Sequence, residues 1–291
     1  MHKSDGLQAF EKPLASLPLA IGGQILKHIH KLAYHEPVIG IMGKTGAGKS
    51  SLCNALFRGE VSAVSDVNAC TRDALRFRLH SGEHSLVIVD LPGVGENRLR
   101  DHEYTALYRR ILPGMDLILW VIKADDRALS VDEQFWLSVM AAHQKQVLFV
   151  INQADKIEPS YEWDTTTSTP SLQQQANLSA RQNAITAIFK PHHPVSVVSA
   201  LSGWGMEAMV ETMMRSLPDR ASSPLATQLH GRLCTEPVKK LARDSFSHAV
   251  GKVFDGVESS PLLPVPVRAV IRTVRETVVS VARAVWDWIF F

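Results

Sequence analysis

One stretch constrains this chain more than any other: Gly43-Lys44-Thr45-Gly46-Ala47-Gly48-Lys49-Ser50. It fits the pattern G-x-x-x-x-G-K-[ST]. An apolar, β-branched run (Pro37 to Met42) leads in, and a helix-like run (Ser51 to Phe57) leads out. A strand, a glycine turn and a helix in that order let successive backbone N–H groups point at phosphate oxygens, and the helix start adds the positive end of its dipole. Lys49 would then reach the β- and γ-phosphates, and Ser50 would hold Mg²⁺. The candidate nucleotide-contacting residues are Gly43, Lys44, Thr45, Gly46, Ala47, Gly48, Lys49, Ser50 and the adjoining Ser51.

Around this turn, apolar strands alternate with helical runs. Strands are predicted at 37–42, 74–79, 84–90, 115–123, 146–152 and 194–199. Helices are predicted at 50–57, 97–111, 131–143, 173–189 and 205–215. This alternation predicts an α/β fold, a three-layer α/β/α nucleotide-binding domain with a mainly parallel six-stranded sheet. Ligands of such sheets sit at the carboxyl ends of the strands. Ile21, Ile25, Ile29 and Leu32 recur at helical spacing, so 1–36 reads as a helical lead-in. The nucleotide-binding domain then spans 37–217. A break near Leu217–Pro224 separates it from a helical extension, 218–291, with helical segments at 225–257 and 266–289. The polar stretch 157–172, with its prolines and threonines, reads as an inserted surface loop.

Composition excludes several classes. At 45% hydrophobic and 21% charged residues the chain should build a packed core, and a net charge of +2 is too small for wholesale nucleic-acid binding. Cys53, Cys70 and Cys234 are scattered and odd in number, which suits reduced thiols of the cytosol. The N-terminus lacks a signal-peptide core, and no run of about 20 apolar residues offers a membrane span. The histidines show no metal-binding spacing.

Three more features narrow the nucleotide. Asp90-Leu91-Pro92-Gly93 closes the strand "SLVIVD"; Asp90 can hold the Mg²⁺ shell through water, and the Gly93 N–H can bond the γ-phosphate. Asn152-Gln153-Ala154-Asp155 closes "VLFVIN". The Asp155 carboxylate can accept two hydrogen bonds from the N1–H and N2–H₂ edge of guanine, a pair of donors that adenine lacks. Asn152 would tie its loop to the phosphate loop or contact the base. Ser199-Ala200 ends the last strand, where a backbone N–H could meet the guanine O6. Thr71, among several Ser/Thr residues in 62–71, is the candidate to coordinate Mg²⁺ and sense the γ-phosphate. Lys49, Thr71 and Gly93 form the catalytic set; Ser50, Thr71 and Asp90 (through water) form the metal set.

In this order, the motifs resemble the translation-factor-class GTPases, and "DLPGVGE" resembles the branch containing TrmE, Era, EngA and EngB. "GIMGKTGAGKSSLCNALF", "NQADKIEP" and "YEWD" are most similar to the YfjP family, over residues 15–225. The resemblance implies a Mg²⁺-dependent switch that hydrolyses GTP to GDP and phosphate. Three departures bear on mechanism. Gly46 stands where relatives have an asparagine that helps bind potassium. Gln153 replaces the lysine whose stem covers the base. Val94 follows Gly93 where Ras-like proteins place a water-positioning glutamine. Slow intrinsic turnover follows, with the missing group supplied by a rearranged loop, a dimer partner or an activator.

In the tail, 266–291, Val267, Val270, Ile271, Val274, Val278, Val281, Val285 and Trp288 share one helical face opposite Arg268, Arg272, Glu276, Ser280, Arg283 and Asp287. Three readings fit: packing on the protein itself, a peripheral membrane contact at the inner face, and a dimer seam. The tail has no G-x-x-G clamp, so an RNA-binding appendage is not supported. Two functional classes follow: a cytoplasmic switch GTPase, or a nucleotide-gated scaffold with negligible turnover that binds a membrane, a ribosome or its own copy.

Overall fold

The computed structural model describes residues 4–63, 75–91, 101–126, 128–258 and 265–291. Thr71, Gly93, Val94 and the predicted helical start at 97–100 lie outside them.

Five parallel strands form most of the sheet: β1 (Val38–Met42), β4 (His84–Asp90), β5 (Leu117–Lys123), β6 (Val147–Asn152) and β7 (Ser196–Val197). Two antiparallel strands, β2 (Glu60–Ala63) and β3 (Leu75–Ser81), extend it, giving the order β2-β3-β4-β1-β5-β6-β7. The six strands read from the sequence are all present. The seventh, β2, is a short edge strand (Glu-Val-Ser-Ala) too brief to show a period. Side chains alternate between faces, as a strand's period of two requires. In β5, Leu117, Leu119 and Val121 enter one core, and Ile118, Trp120 and Ile122 enter the other.

The second core lies under α5 (Asp101–Ile111), α6 (Ser130–Ser138) and α7 (Leu172–Phe189). Trp136 meets Trp120, Phe149 and Phe189 there edge-to-face, with ring centroids 5.1–6.2 Å apart, and Trp120 stacks on Phe149 at 5.1 Å. The helix α7 opens with a full capping box, Ser171 with Gln174. The first core lies under α4 (Lys49–Leu56) and α8 (Met206–Ser216) and is thickened by both ends of the chain. The N-terminal helices are α1 (Ser4–Gln8), α2 (Glu11–Leu14) and α3 (Leu19–Ala33). The C-terminal ones are α9 (Asp219–Ala226), α10 (Glu236–Lys252), α11 (Asp255–Glu258) and α12 (Val265–Phe290). The stretch near Leu217–Pro224 holds the break between α8, which ends at Ser216, and α9, which starts at Asp219 and carries Pro224 within it; the predicted segment 225–257 is divided into the end of α9, a short 3₁₀ turn, α10 and α11.

Asp116, at the foot of β5, joins both extensions to the sheet. Its buried carboxylate accepts hydrogen bonds from His35 Nε2 (3.0 Å), the Val38 N–H (3.1 Å) and Arg220 Nε and Nη2 (3.1 and 2.8 Å). Burial alone would raise this carboxyl, but these donors outweigh it and hold the group below its ordinary value.

The face of α12 is covered within the chain. Ile271, Val274, Val278, Ala282, Val285, Trp286, Ile289 and Phe290 are buried, and α12 packs on α10, α1 and α2. The expected stripe shifts in two places. Val270 and Trp288 are exposed, and Trp286 takes the buried position. At about 100° per residue Trp288 lies about 80° to one side of Val278, and the buried Trp286, Ile289 and Phe290 lie on the other side. Trp286 Nε1 donates to Ser223 Oγ at 2.8 Å, that hydroxyl donates to the Ala242 carbonyl at 2.9 Å, and Arg243 lies over the indole at 5.0 Å. Among the described residues, no helix is long and apolar enough to cross a membrane. Trp286→Ala should therefore cost about 3 kcal/mol or more and lower the Tm by about 10 °C, whereas Trp288→Ala should change it little. Thermal melts of the two variants check this; equal losses would contradict the packing.

Candidate functional site

The phosphate loop fills the gap between β1 and α4. Gly43, Gly46 and Gly48 have φ of 143°, 77° and 86°. A Cβ on Gly43 would stand 2.2 Å from the Val121 carbonyl oxygen, and one on Gly48 would stand 2.4 Å from Asn152 Nδ2. Only glycine fits either position. Lys49 Nζ donates to the Gly43 carbonyl at 2.8 Å, so the lysine spans the loop from its last turn to its first residue. The first turn of α4 aims its N–H groups into the loop.

Lys44 turns outward. Its ammonium pairs with Asp126 at 2.9 Å and Asp132 at 3.1 Å, and donates to the Ala128 carbonyl. Burial lowers its affinity for the proton, but the two carboxylates more than restore it. Arg181 of α7 donates to the Asp126 carbonyl of the same loop. The Lys44 side chain thus braces the phosphate loop against the β5–α6 connection. Asp126 and Asp132 carry no motif signal, and only the fold brings them to Lys44. Ser50 and Ser51 are exposed, Thr45 and Gly46 are exposed, and Ala47 is buried.

Ser50, Lys49 and Asp90 line one cavity of about 570 Å³, floored by Cys53, Phe57, Phe77 and Leu79. Asp90 Oδ1 is buried with no hydrogen-bond partner among the described residues. Burial lifts its carboxyl, and the Lys49 charge opposes the lift. An orphaned carboxylate oxygen beside a serine hydroxyl at an anion cradle fits a hydrated Mg²⁺. Burial, then the Asp90 charge, push the Cys53 thiol up to about 12, so it is no nucleophile.

The third part lies at the ends of β6 and β7. Asn152 is buried. Its Nδ2 donates to the Ala47 carbonyl at 3.0 Å and the Gly48 carbonyl at 3.4 Å, and its Oδ1 accepts the Ala200 N–H at 3.1 Å. Gln153, at φ 63°, donates its amide to the Gly46 carbonyl at 2.8 Å. Asp155 sits in the following 3₁₀ turn, where Ser199 Oγ donates to its Oδ1 at 2.6 Å. A cavity of about 430 Å³ opens beside Asp155, lined by Tyr161, Trp163, Leu201 and Ser202. Ser199 contributes differently from the expectation. Its N–H is bonded to the Trp204 carbonyl at 3.0 Å and that of Ala200 to Asn152, so neither is free to meet a guanine O6. The tight turn 199–204 consumes those donors; the next N–H, that of Leu201, has no partner among the described residues.

The structure thus gathers 43–51, Asp90, 152–155 and 199–200 at one edge of the sheet, while Thr71 and Gly93 lie outside the described residues. Asn152→Ala would strand the Ala47 carbonyl and the Ala200 N–H, while the Gly48 carbonyl keeps the Leu52 N–H at 2.9 Å. It should cost about 2–3 kcal/mol of stability in nucleotide-free protein, read by denaturant unfolding. An unchanged midpoint would contradict this.

Comparisons with known proteins agree with this geometry. Residues 38–153 match the family described as 50S ribosome-binding GTPase. The chain is 52% identical to YfjP and 51% identical to YkfA, both of Escherichia coli K12, in each case over 291 residues and the full length of both chains. A solved structure of Aquifex aeolicus Era bound to GDP.AlF4- is similar over 65% of this chain and 66% of that one, with a TM-score of 0.45 and 22% identity. The chain belongs to the YfjP family, and its match over 38–153 makes it a P-loop GTPase of the class that includes Era and MnmE.

Proposed function

We propose that this protein binds GTP with Mg²⁺ and hydrolyses it to GDP and phosphate in a switch cycle. The observation that carries the reading is the joint held by Asn152, which ties the phosphate loop to the strand end bearing Asp155. One nucleotide can then engage both. The backbone of 43–48 and Lys49 take the phosphates, and Asp155, fixed by Ser199, takes the guanine edge. The Leu201 N–H is the donor best placed in the chain to meet O6. Mg²⁺ would offset phosphate charge, held by Ser50 directly and by Asp90 through water. Thr71 and Gly93 are the proposed γ-phosphate sensors. With Val94 where a water-positioning side chain would stand, turnover by the isolated protein is slow, and a partner or second copy supplies the missing group. The site belongs to a cytoplasmic protein in this reading, and the covered face of α12 leaves the membrane contact without its motive.

Calorimetric titration tests it. The wild type should prefer GDP to ADP by about a hundredfold or more. Asp155→Asn should lose guanine nucleotides and gain xanthine nucleotides, because its changed donor–acceptor pattern matches xanthine. Lys49→Ala should weaken GTP by at least about tenfold. Equal binding of ADP and GDP would show the reading to be wrong.

A further inference from the structure

Lys123 ends β5 and faces Asn152 in the parallel register of β5 and β6. Its ammonium stands 3.5 Å from the point where a Cβ on Gly46 would sit. Gly46, in the left-handed region at φ 77°, has no side chain of its own there, so the space beside the phosphate loop belongs to Lys123.

The other two lysines of the loop are engaged. Lys44 is neutralised by Asp126 and Asp132, and Lys49 donates to the Gly43 carbonyl. Lys123 is half-buried, and its ammonium makes no hydrogen bond or ion pair with any described residue. From the next strand, Gln153 sends its amide to the Gly46 carbonyl at 2.8 Å. Adjacent strands therefore each bring a side chain to the same glycine: a neutral, bonded one from β6 and a cationic, unpaired one from β5. A partly desolvated cation without a counter-charge is costly, and the cost disappears when an anion meets it. The backbone beside it already forms an anion cradle.

We propose that Lys123 contacts the bound nucleotide, its ammonium meeting polyphosphate oxygens from the Gly46 side of the loop while Lys49 approaches from the Gly43 side. This rests on the nucleotide reading of the site given above. It adds a positive charge that no motif contains, and it places that charge on β5, beside the loop where Gln153 carries none.

The test uses full-length protein and fluorescent GDP and GTP, titrated at low and high salt. Variants are Lys123→Met, Lys123→Arg, and the exchange Lys123→Gln with Gln153→Lys, which moves the ammonium to the neighbouring strand at the same glycine. Lys123→Met should weaken GDP about tenfold, the effect of losing one charge-assisted hydrogen bond. Its affinity should also fall less steeply with salt, while its nucleotide-free melting temperature stays at the wild-type value. Lys123→Arg and the exchange should recover most of the affinity. Wild-type affinity in Lys123→Met would overturn the proposal. So would equal losses in the Met and Arg variants with lowered melting temperatures, which mark a packing role. If the wild type itself bound no guanine nucleotide, the nucleotide reading of the site would fail first, and this contact with it.

Discussion

The site depends on one buried amide. Asn152 donates to two carbonyls of the phosphate loop and accepts the N–H of Ala200, so three strand ends are held by one side chain. Gly48 is glycine because that amide occupies the place of its Cβ. The relation runs both ways: the asparagine fixes the loop, and the absence of a side chain at Gly48 admits the asparagine. The Ala47 carbonyl and the Ala200 N–H would otherwise lack a partner, so the arrangement is costly to break. In the proposed reading, phosphate and base recognition are properties of a single joint.

The extensions brace this joint from behind. The helix that starts at the phosphate loop is held at its far end by the C-terminal extension. Arg58 N–H donates to the Gln228 carbonyl at 2.8 Å, His230 N–H to the Leu56 carbonyl at 3.0 Å, and His230 Nε2 lies 3.0 Å from the Asn54 carbonyl. Gln228 also donates to the His84 carbonyl at 3.1 Å, and His84 Nε2 meets the Ile289 carbonyl at 3.2 Å. A chain of direct contacts therefore runs from the last turn of α12 to the end of α4. With Asp116 joining His35 and Arg220 to the foot of β5, both ends of the polypeptide are built into the first core. Such packing gives α4 a rigid base.

Much of this was legible in the sequence, for physical reasons. The glycine loop, Asp90 and Asn152-Gln153-Ala154-Asp155 are local motifs whose chemistry demands fixed residue types, and the strands show because their alternation is strong. What escaped was whatever depends on residues far apart in sequence. Lys44 looks like a phosphate ligand until Asp126 and Asp132 arrive beside it. The N–H of Ser199 looks free until Trp204 closes the turn. The α12 stripe was visible, but the choice between Trp286 and Trp288 depends on the phase of a long helix and on the Ser223 hydroxyl that receives the indole. A short edge strand such as β2 has too few residues to declare a period. Lys123 belongs to no motif, and only the register of β5 against β6 brings it to Gly46.

In the proposed reading, the phosphate loop, the Asn152–Asp155 turn and the Ser199–Ser202 turn act as one guanine-nucleotide site. Amide hydrogen exchange, measured with and without Mg²⁺–GDP and with Mg²⁺–ADP as the control, tests this most directly. The account predicts that GDP slows exchange at 43–50, 152–156 and 199–204 together, and that ADP at the same concentration leaves all three unchanged. Protection confined to 43–50, or equal protection by ADP, would contradict it.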